Sequence, residues 1–155
     1  MPVIQSEIDV HGEAFAANRE AMLAAVASFR EVEQKVLDKA NEAKPKFEKR
    51  GQLLPRERIN LLLDPGAPFL ELSSLAGYKL HDDKDGTQAG GGIIAGIGYI
   101  EGMRCLVLAN NSAIKGGTIS PTGLKKSLRM QQVAVENKLP IVTLAESGGA
   151  NLNYA

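Results

Sequence analysis

Between Cys105 and Ala150 the sequence passes through an apolar strand, a glycine-rich loop, an amphipathic helix and a second apolar strand. That order restricts the chain to an α/β fold. Cys105-Leu106-Val107-Leu108-Ala109 is the first strand, and Asn110-Asn111-Ser112-Ala113-Ile114-Lys115-Gly116-Gly117-Thr118 is the loop. Ser120 suits the helix N-cap and Pro121 the first helical position. The helix is expected to run to about Asn137, with Pro140 ending it and with Leu124, Leu128 and Val135 facing the core. Lys125, Arg129 and Glu136 lie along another face, with Lys126 beside it. Residues 139–145, β-branched and bounded by Pro and Gly, read as a buried strand. A crossover joining parallel strands is nearly always right-handed, so the loops Lys115-Gly116-Gly117 and Ser147-Gly148-Gly149-Ala150 should leave the sheet at one edge.

Ligands of α/β sheets bind at the carboxyl ends of strands. Two glycines and an alanine directly beyond residue 145 leave the backbone bare there. Bare N–H groups can approach a ligand oxygen closely, as an oxyanion hole requires.

Composition narrows the function classes. Eighteen basic residues balance 18 acidic ones, so no global field argues for nucleic acid or an anionic membrane, and neither is expected as a partner. Cys105 is the single cysteine, placed inside an apolar strand, which excludes an internal disulfide and fits a reducing compartment. No stretch has the length of a transmembrane span. The acidic N-terminal residues 1–9 resemble neither a signal nor a transit peptide, so the expected address is the cytoplasm. His11 and His81 are the two histidines, and no metal-ligand constellation or Ser-His-Asp spacing accompanies them.

Residues 13–44 carry a helical period through Phe15, Met22, Val26, Phe29, Val32 and Val36. Pro45 is expected to end or kink this helix, and the basic run over residues 44–51 reads as a solvated face. A second helix begins near Pro55 with Ile59, Leu62 and Leu63 inward, closed by the turn Asp64-Pro65-Gly66. Phe69-Leu70-Glu71-Leu72 is a short strand, and His81-Asp82-Asp83-Lys84-Asp85-Gly86 is a solvated loop that lacks the closing glutamate of a calcium site. Residues 92–100 and 105–109 form a hairpin across Glu101-Gly102-Met103-Arg104. Gly96-Ile97-Gly98 lacks the third glycine and following helix of a dinucleotide fingerprint, and the lysine preceding Gly116-Gly117 is not a P-loop order.

Four blocks resemble the N-terminal part of the carboxyltransferase (β) subunit of biotin-dependent acyl-CoA carboxylases. They are Arg56-Glu57-Arg58-Ile59-Asn60-Leu61-Leu62-Leu63-Asp64-Pro65-Gly66, Gly96-Ile97-Gly98 with its strand, Lys115-Gly116-Gly117-Thr118, and Glu146-Ser147-Gly148-Gly149-Ala150-Asn151-Leu152. The last two lean toward the methylcrotonyl-CoA and geranyl-CoA branch, since propionyl-CoA carboxylases tend to have arginine at the position of Asn151. The resemblance implies a crotonase-like ββα spiral, with residues 64–155 as the first, incomplete part of its N-terminal domain and residues 1–63 as a preceding helical segment. It also implies that this chain is an N-terminal fragment, inactive and poorly stable by itself. The implied activity moves a carboxyl group from carboxybiotin to an acyl-CoA, with 3-methylcrotonyl-CoA or geranyl-CoA expected. Implied partners are the biotin-carboxylase and biotin-carrier α subunit, other β subunits in a homo-oligomer, and acyl-CoA. The chain itself has no Ala-Met-Lys-Met biotinyl segment and is expected to bind no metal.

In such an enzyme released biotin can take the substrate proton, so the protein need supply no side-chain acid or base. It must supply N–H donors at the enolate oxygen, and the backbone of Gly148, Gly149 and Ala150 is the candidate. Lys115, Gly116 and Gly117, at a helix entry, and Lys125, Lys126 and Arg129, along the helix, are candidates for coenzyme A. Gly148-Gly149 equally suits a tight turn, and the four cations equally suit a solvated helix face. Alternative functions are a propionyl-CoA or acetyl-CoA carboxylase β subunit, a crotonase-type hydratase or isomerase, and a non-catalytic module using its helical half as an oligomerisation arm. A hydratase needs carboxylates near the substrate, and Glu146 alone lies close to the motif.

Overall fold

A computed structural model describes residues 5–80 and 83–150, so His81, Asp82, Asn151 and Leu152 lie outside the described residues. Helix α1 (Glu13–Asn41) precedes a short α2 (Lys44–Lys49) and α3 (Pro55–Leu62). Strand β1 (Leu70–Glu71), the hairpin β2 (Ile93–Ile100) and β3 (Met103–Asn110), a 3-10 turn (Lys115–Gly117), α4 (Pro121–Glu136) and β4 (Ile141–Leu144) follow. The sheet order is β1-β2-β3-β4, antiparallel across its first two junctions. At the third, β3 and β4 are parallel, with Leu106 opposite Ile141, so the β3-α4-β4 crossover matches the expected βαβ unit.

Strand alternation sorts the core into two faces. Ile93, Ala95, Leu106 and Leu108 meet Met130 and Ala134 of α4 on one face. Ile94, Val107 and Ala109 meet Ile59 of α3 and Leu63, which caps it, on the other. Cys105 is buried in β3. Gly96 and Gly98 make room on the α3 face, since a Cβ at Gly96 would strike the Phe69 ring and one at Gly98 the Leu63 side chain. These glycines serve packing, consistent with the missing dinucleotide pattern.

The β2–β3 connection is a two-residue turn in which Glu101 (φ 50°) and Gly102 (φ 73°) both adopt the left-handed conformation. A two-residue hairpin matching the sheet's twist requires that geometry. Asp64 offsets its cost, because its two carboxylate oxygens accept from Glu101 N (2.7 Å) and Gly102 N (2.8 Å). The Asp64-Pro65-Gly66 turn thereby closes α3 and fixes the hairpin at once.

Several expectations are corrected. Pro45 sits in the first turn of a second helix, and Phe47 of the basic run is buried, so residues 44–51 are not simply a solvated face. In α1 only Val36 and Ala40 are buried, against Ala89 and Ile114, while Met22 and Phe29 are exposed. Strand β4 is half exposed rather than buried, since among the described residues β3 is the one strand that pairs with it. Asp83 is buried within the loop expected to be solvated, its carboxylate accepting from Lys79 N (3.0 Å) and Gln88 N (2.8 Å).

Helix α4 buries a different face from the one expected. Leu124, Leu128 and Val135 are 52%, 56% and 78% exposed, and the buried face is Gly123, Lys126, Met130 and Ala134. Gly91 and Gly123 explain the rotation. A Cβ on Gly91 would lie 2.9 Å from Gly123 N, and one on Gly123 would strike the Gly91 carbonyl. Helix and loop approach backbone to backbone there, which bulky leucines would forbid.

Candidate active site

The two glycine-rich loops meet beyond the ends of β3 and β4. Ile119 N donates to Gly149 O (2.9 Å), and Ile119 and Ala150 form a parallel bridge. Gly117 (φ 70°) is buried with its Cα facing the Glu146 carbonyl, which any Cβ would strike. A Cβ on Gly148 would lie 2.9 Å from Gly116 O. The Ser147 hydroxyl links the loops further: it accepts from Gly149 N (3.0 Å) and donates to Gly117 O (3.4 Å). Glycine at 117 and 148 is thus a condition of contact, not merely of turning.

On the outer side the same loop is open. Gly148, Gly149 and Ala150 are exposed, Gly149 has φ 90°, and a Cβ placed on it meets nothing within 4 Å. A ligand oxygen reaching the Gly149 N–H would share it with, or take it from, the Ser147 hydroxyl. Fixed amides beside open space are what stabilisation of a developing oxyanion needs. Glu146 is held from two sides, its N–H donating to Asn110 Oδ1 (3.2 Å) and its carboxylate pairing with Arg58 (3.0 Å). That pairing weakens its claim as a hydratase-type acid or base.

Of the coenzyme A candidates, Lys115 and Gly116 are exposed on the 3-10 turn and both adopt positive φ, 50° and 62°. Lys125 and Arg129 are exposed on α4, and Arg129 Nη1 lies 3.7 Å from Glu136. Ser120 caps α4 as expected, accepting from Gly123 N (3.0 Å). A cleft beside that helix entry is lined by Gly77, Gly91, Gly92, Lys115, Thr118 and Thr122.

Lys126 does not lie beside Lys125 on the helix surface. It is 5% exposed, and its ammonium donates to the carbonyls of Ile93 (2.7 Å) and Gly90 (3.2 Å). It fastens the loop Gly90-Gly91-Gly92, all three at positive φ, to α4. The signal for this contact was the glycine triplet, which marks backbone needing a close neighbour. Among the described residues no group of three or more His, Cys, Asp and Glu is placed to hold a metal.

Burial lowers the Lys126 pKa from 10.5 to about 8, opposed by nearby Glu71 and aided by Arg56. Below pH 8 the lysine is charged whether the chain is folded or unfolded, and its burial cost is then greatest. Between about 8 and 10.5 the unfolded chain binds more protons, so stability rises with pH through that window. The gain is on the order of 3 kcal/mol. Thermal unfolding midpoints of wild type and Lys126→Met, compared at pH 7, 8.5 and 10, should shift in favour of wild type as pH rises. A difference independent of pH would contradict the assignment.

Residues 46–154 match the model of the carboxyl transferase domain. The chain belongs to that family. It is 44% identical over 151 residues to the "Probable methylcrotonoyl-CoA carboxylase beta chain, mitochondrial" of Drosophila melanogaster, covering 97% of this chain and 26% of that one. Identity to a propionyl-CoA carboxylase beta chain of Cereibacter sphaeroides is 36% over 106 residues, covering 67% of this chain and 21% of that one. Among solved structures, the geranyl-CoA carboxylase beta subunit of P. aeruginosa superposes with a TM-score of 0.87 at 82% identity, covering 99% of this chain and 29% of that chain. The chain spans about a quarter of the length of the curated relatives it matches. Its carboxyl transferase domain has the expected crotonase-like fold, with the β2-β3-α4 order as one ββα unit. No helix among the described residues is long and apolar enough to cross a membrane.

Proposed function

We propose that this chain supplies the first part of the N-terminal domain of a carboxyltransferase subunit acting on 3-methylcrotonyl-CoA or geranyl-CoA. In that reading residues 64–155 open the domain and residues 1–63 are its helical approach. The meeting of the two glycine loops beside open space carries the proposal. Biotin, borne by an α subunit, supplies the carboxyl group. This chain's residues bind and orient the thioester and stabilise its enolate oxygen through the amides of Gly148, Gly149 and Ala150. Lys115, Gly116, Lys125 and Arg129, all exposed beside the helix entry, would hold the coenzyme A end, and the buried Gly117 would shape the turn that presents the first two. Lys126, already occupied by two carbonyls, is left out of that set. A cytoplasmic address and a homo-oligomer of β subunits belong to the same reading.

The unsaturated, β-branched branch is favoured by 82% and 44% identity to geranyl-CoA and methylcrotonoyl-CoA carboxylase chains, against 36% for a propionyl-CoA relative. The test is an assay of the assembled, biotinylated complex with bicarbonate, ATP and a panel of acyl-CoAs. Preference for propionyl- or acetyl-CoA would overturn the branch and leave the reaction class standing. In the same assay Arg129→Ala should raise KM for acyl-CoA about three- to tenfold with kcat unchanged. A phosphate contact present in ground and transition states alike contributes uniform binding. An unchanged KM would remove Arg129 from the site.

A further inference from the structure

Arg58 and Glu146 are 88 residues apart, yet the Arg58 guanidinium reaches the Glu146 carboxylate at 3.0 Å. Arg58 lies on α3, whose seat on the sheet is secured by buried Ile59 and Leu63 and by the paired bonds from Arg56 to Glu71 (2.7 and 2.9 Å). The helix is therefore a rigid base. Glu146 lies at the other end of the pair, immediately before Ser147-Gly148-Gly149-Ala150, and its own N–H is fixed by Asn110 Oδ1. Its carbonyl faces Gly117 so closely that no side chain fits between them. One residue thus receives α3, β3 and the Lys115–Gly117 turn. Gly148 and Gly149, which follow, have no side chains with which to anchor themselves.

We infer that Arg58 is a positioning residue for turnover, holding the glycine loop through Glu146 in the geometry that presents its amides. The inference rests on the reading of that loop as an oxyanion site. Arg58 touches no substrate in this scheme. It acts through the carboxylate it grips, and both partners are about one-third exposed, so the contact constrains direction more than it adds stability.

Arg58→Ala, Arg58→Lys, Glu146→Ala and the double alanine variant, each in the assembled carboxylase, test this by steady-state kinetics. Hydrogen exchange of the peptide covering residues 145–150 is followed alongside. Arg58→Ala should lower kcat by about ten- to a hundredfold, the scale expected when reacting groups shift by about an ångström. KM for acyl-CoA should stay within about twofold. Exchange in the loop should quicken, Arg58→Lys should recover most of the lost turnover, and the double variant should be no worse than either single one. Multiplied losses in the double variant, or unchanged exchange in Arg58→Ala, would overturn the inference. If Arg58→Ala fails to assemble, Glu146→Gln, which keeps the side chain's size and removes the charge that Arg58 grips, should show the same loss of kcat and quickened exchange, and normal values of both would overturn the inference. Quickened exchange with normal kcat would also overturn the role in turnover. Gly149→Val then locates the fault: if it abolishes turnover, Arg58 alone was misassigned, and if it does not, the oxyanion reading has failed.

Discussion

Gly149→Val, in the assembled carboxylase, is expected to lower kcat by about 10²–10³-fold while KM for acyl-CoA stays within about threefold. The cause is conformational. Gly149 sits at φ 90°, and the space where a Cβ would stand is empty. Valine therefore meets no neighbour, but its branched side chain cannot hold that backbone conformation and the loop must rotate away. Rotation moves the Gly149 N–H from its place 3.0 Å from the Ser147 hydroxyl and turns the adjoining amides with it. Those amides act on charge that develops only after proton loss, so their displacement falls on turnover more than on binding of the adenosine and phosphate end. Paired measurement of kcat and KM, with thermal unfolding to verify the fold, decides the matter. Normal turnover would reduce the loop to a turn.

The part of the fold carrying this loop was legible because its signals are local. The continuous apolar runs of β2 and β3, Ser120-Pro121 at the start of α4 and the glycines beyond β4 each state a backbone conformation. The face of α4 was not legible in the same way. Two stripes, one through Leu124, Leu128 and Val135 and the other through Gly123, Lys126, Met130 and Ala134, satisfy helical spacing equally. Size favours the first, and the need for backbone contact with Gly91 selects the second. Pro45 was ambiguous for a related reason, because a proline both ends one helix and suits the first turn of the next. The buried state of Phe47 follows only from tertiary packing.

Within the site, composition located the glycines but not what they touch. Gly148 and Gly149 look alike in sequence, yet a Cβ on the first would crowd Gly116 O and one on the second would meet open space. Lys125 and Lys126 are neighbours in sequence, and one is solvated while the other is spent on two carbonyls. The link from Arg58 to Glu146 joins the first family block to the last, and no periodicity could have predicted that contact.

The contrast among these glycines yields the other large effect. Gly117→Ala should be more damaging than Gly149→Val, though it adds a single methyl group. Gly117 is buried at φ 70°, and the added Cβ would be driven into the Glu146 carbonyl, with Ser112 Cα at 3.4 Å on another side. Backbone flanks the methyl, so no side-chain rotamer can relieve the overlap and the two loops must part. Left-handed strain adds roughly 1–2 kcal/mol to the cost of that separation. Losing the shared edge removes both the presented amides and the coenzyme A entry beside Lys115 and Gly116. The expected result is a kcat loss of at least the Gly149→Val size together with an increase in KM of about tenfold. Gly102→Ala supplies the control, since Gly102 has φ 73° with nothing within 4 Å of its missing Cβ and lies in the β2–β3 turn. It carries the same backbone strain without the overlap, so it should lower the unfolding midpoint and leave both kinetic constants intact. If Gly117→Ala behaves like Gly102→Ala, the loops do not depend on one another and the site does not require their contact.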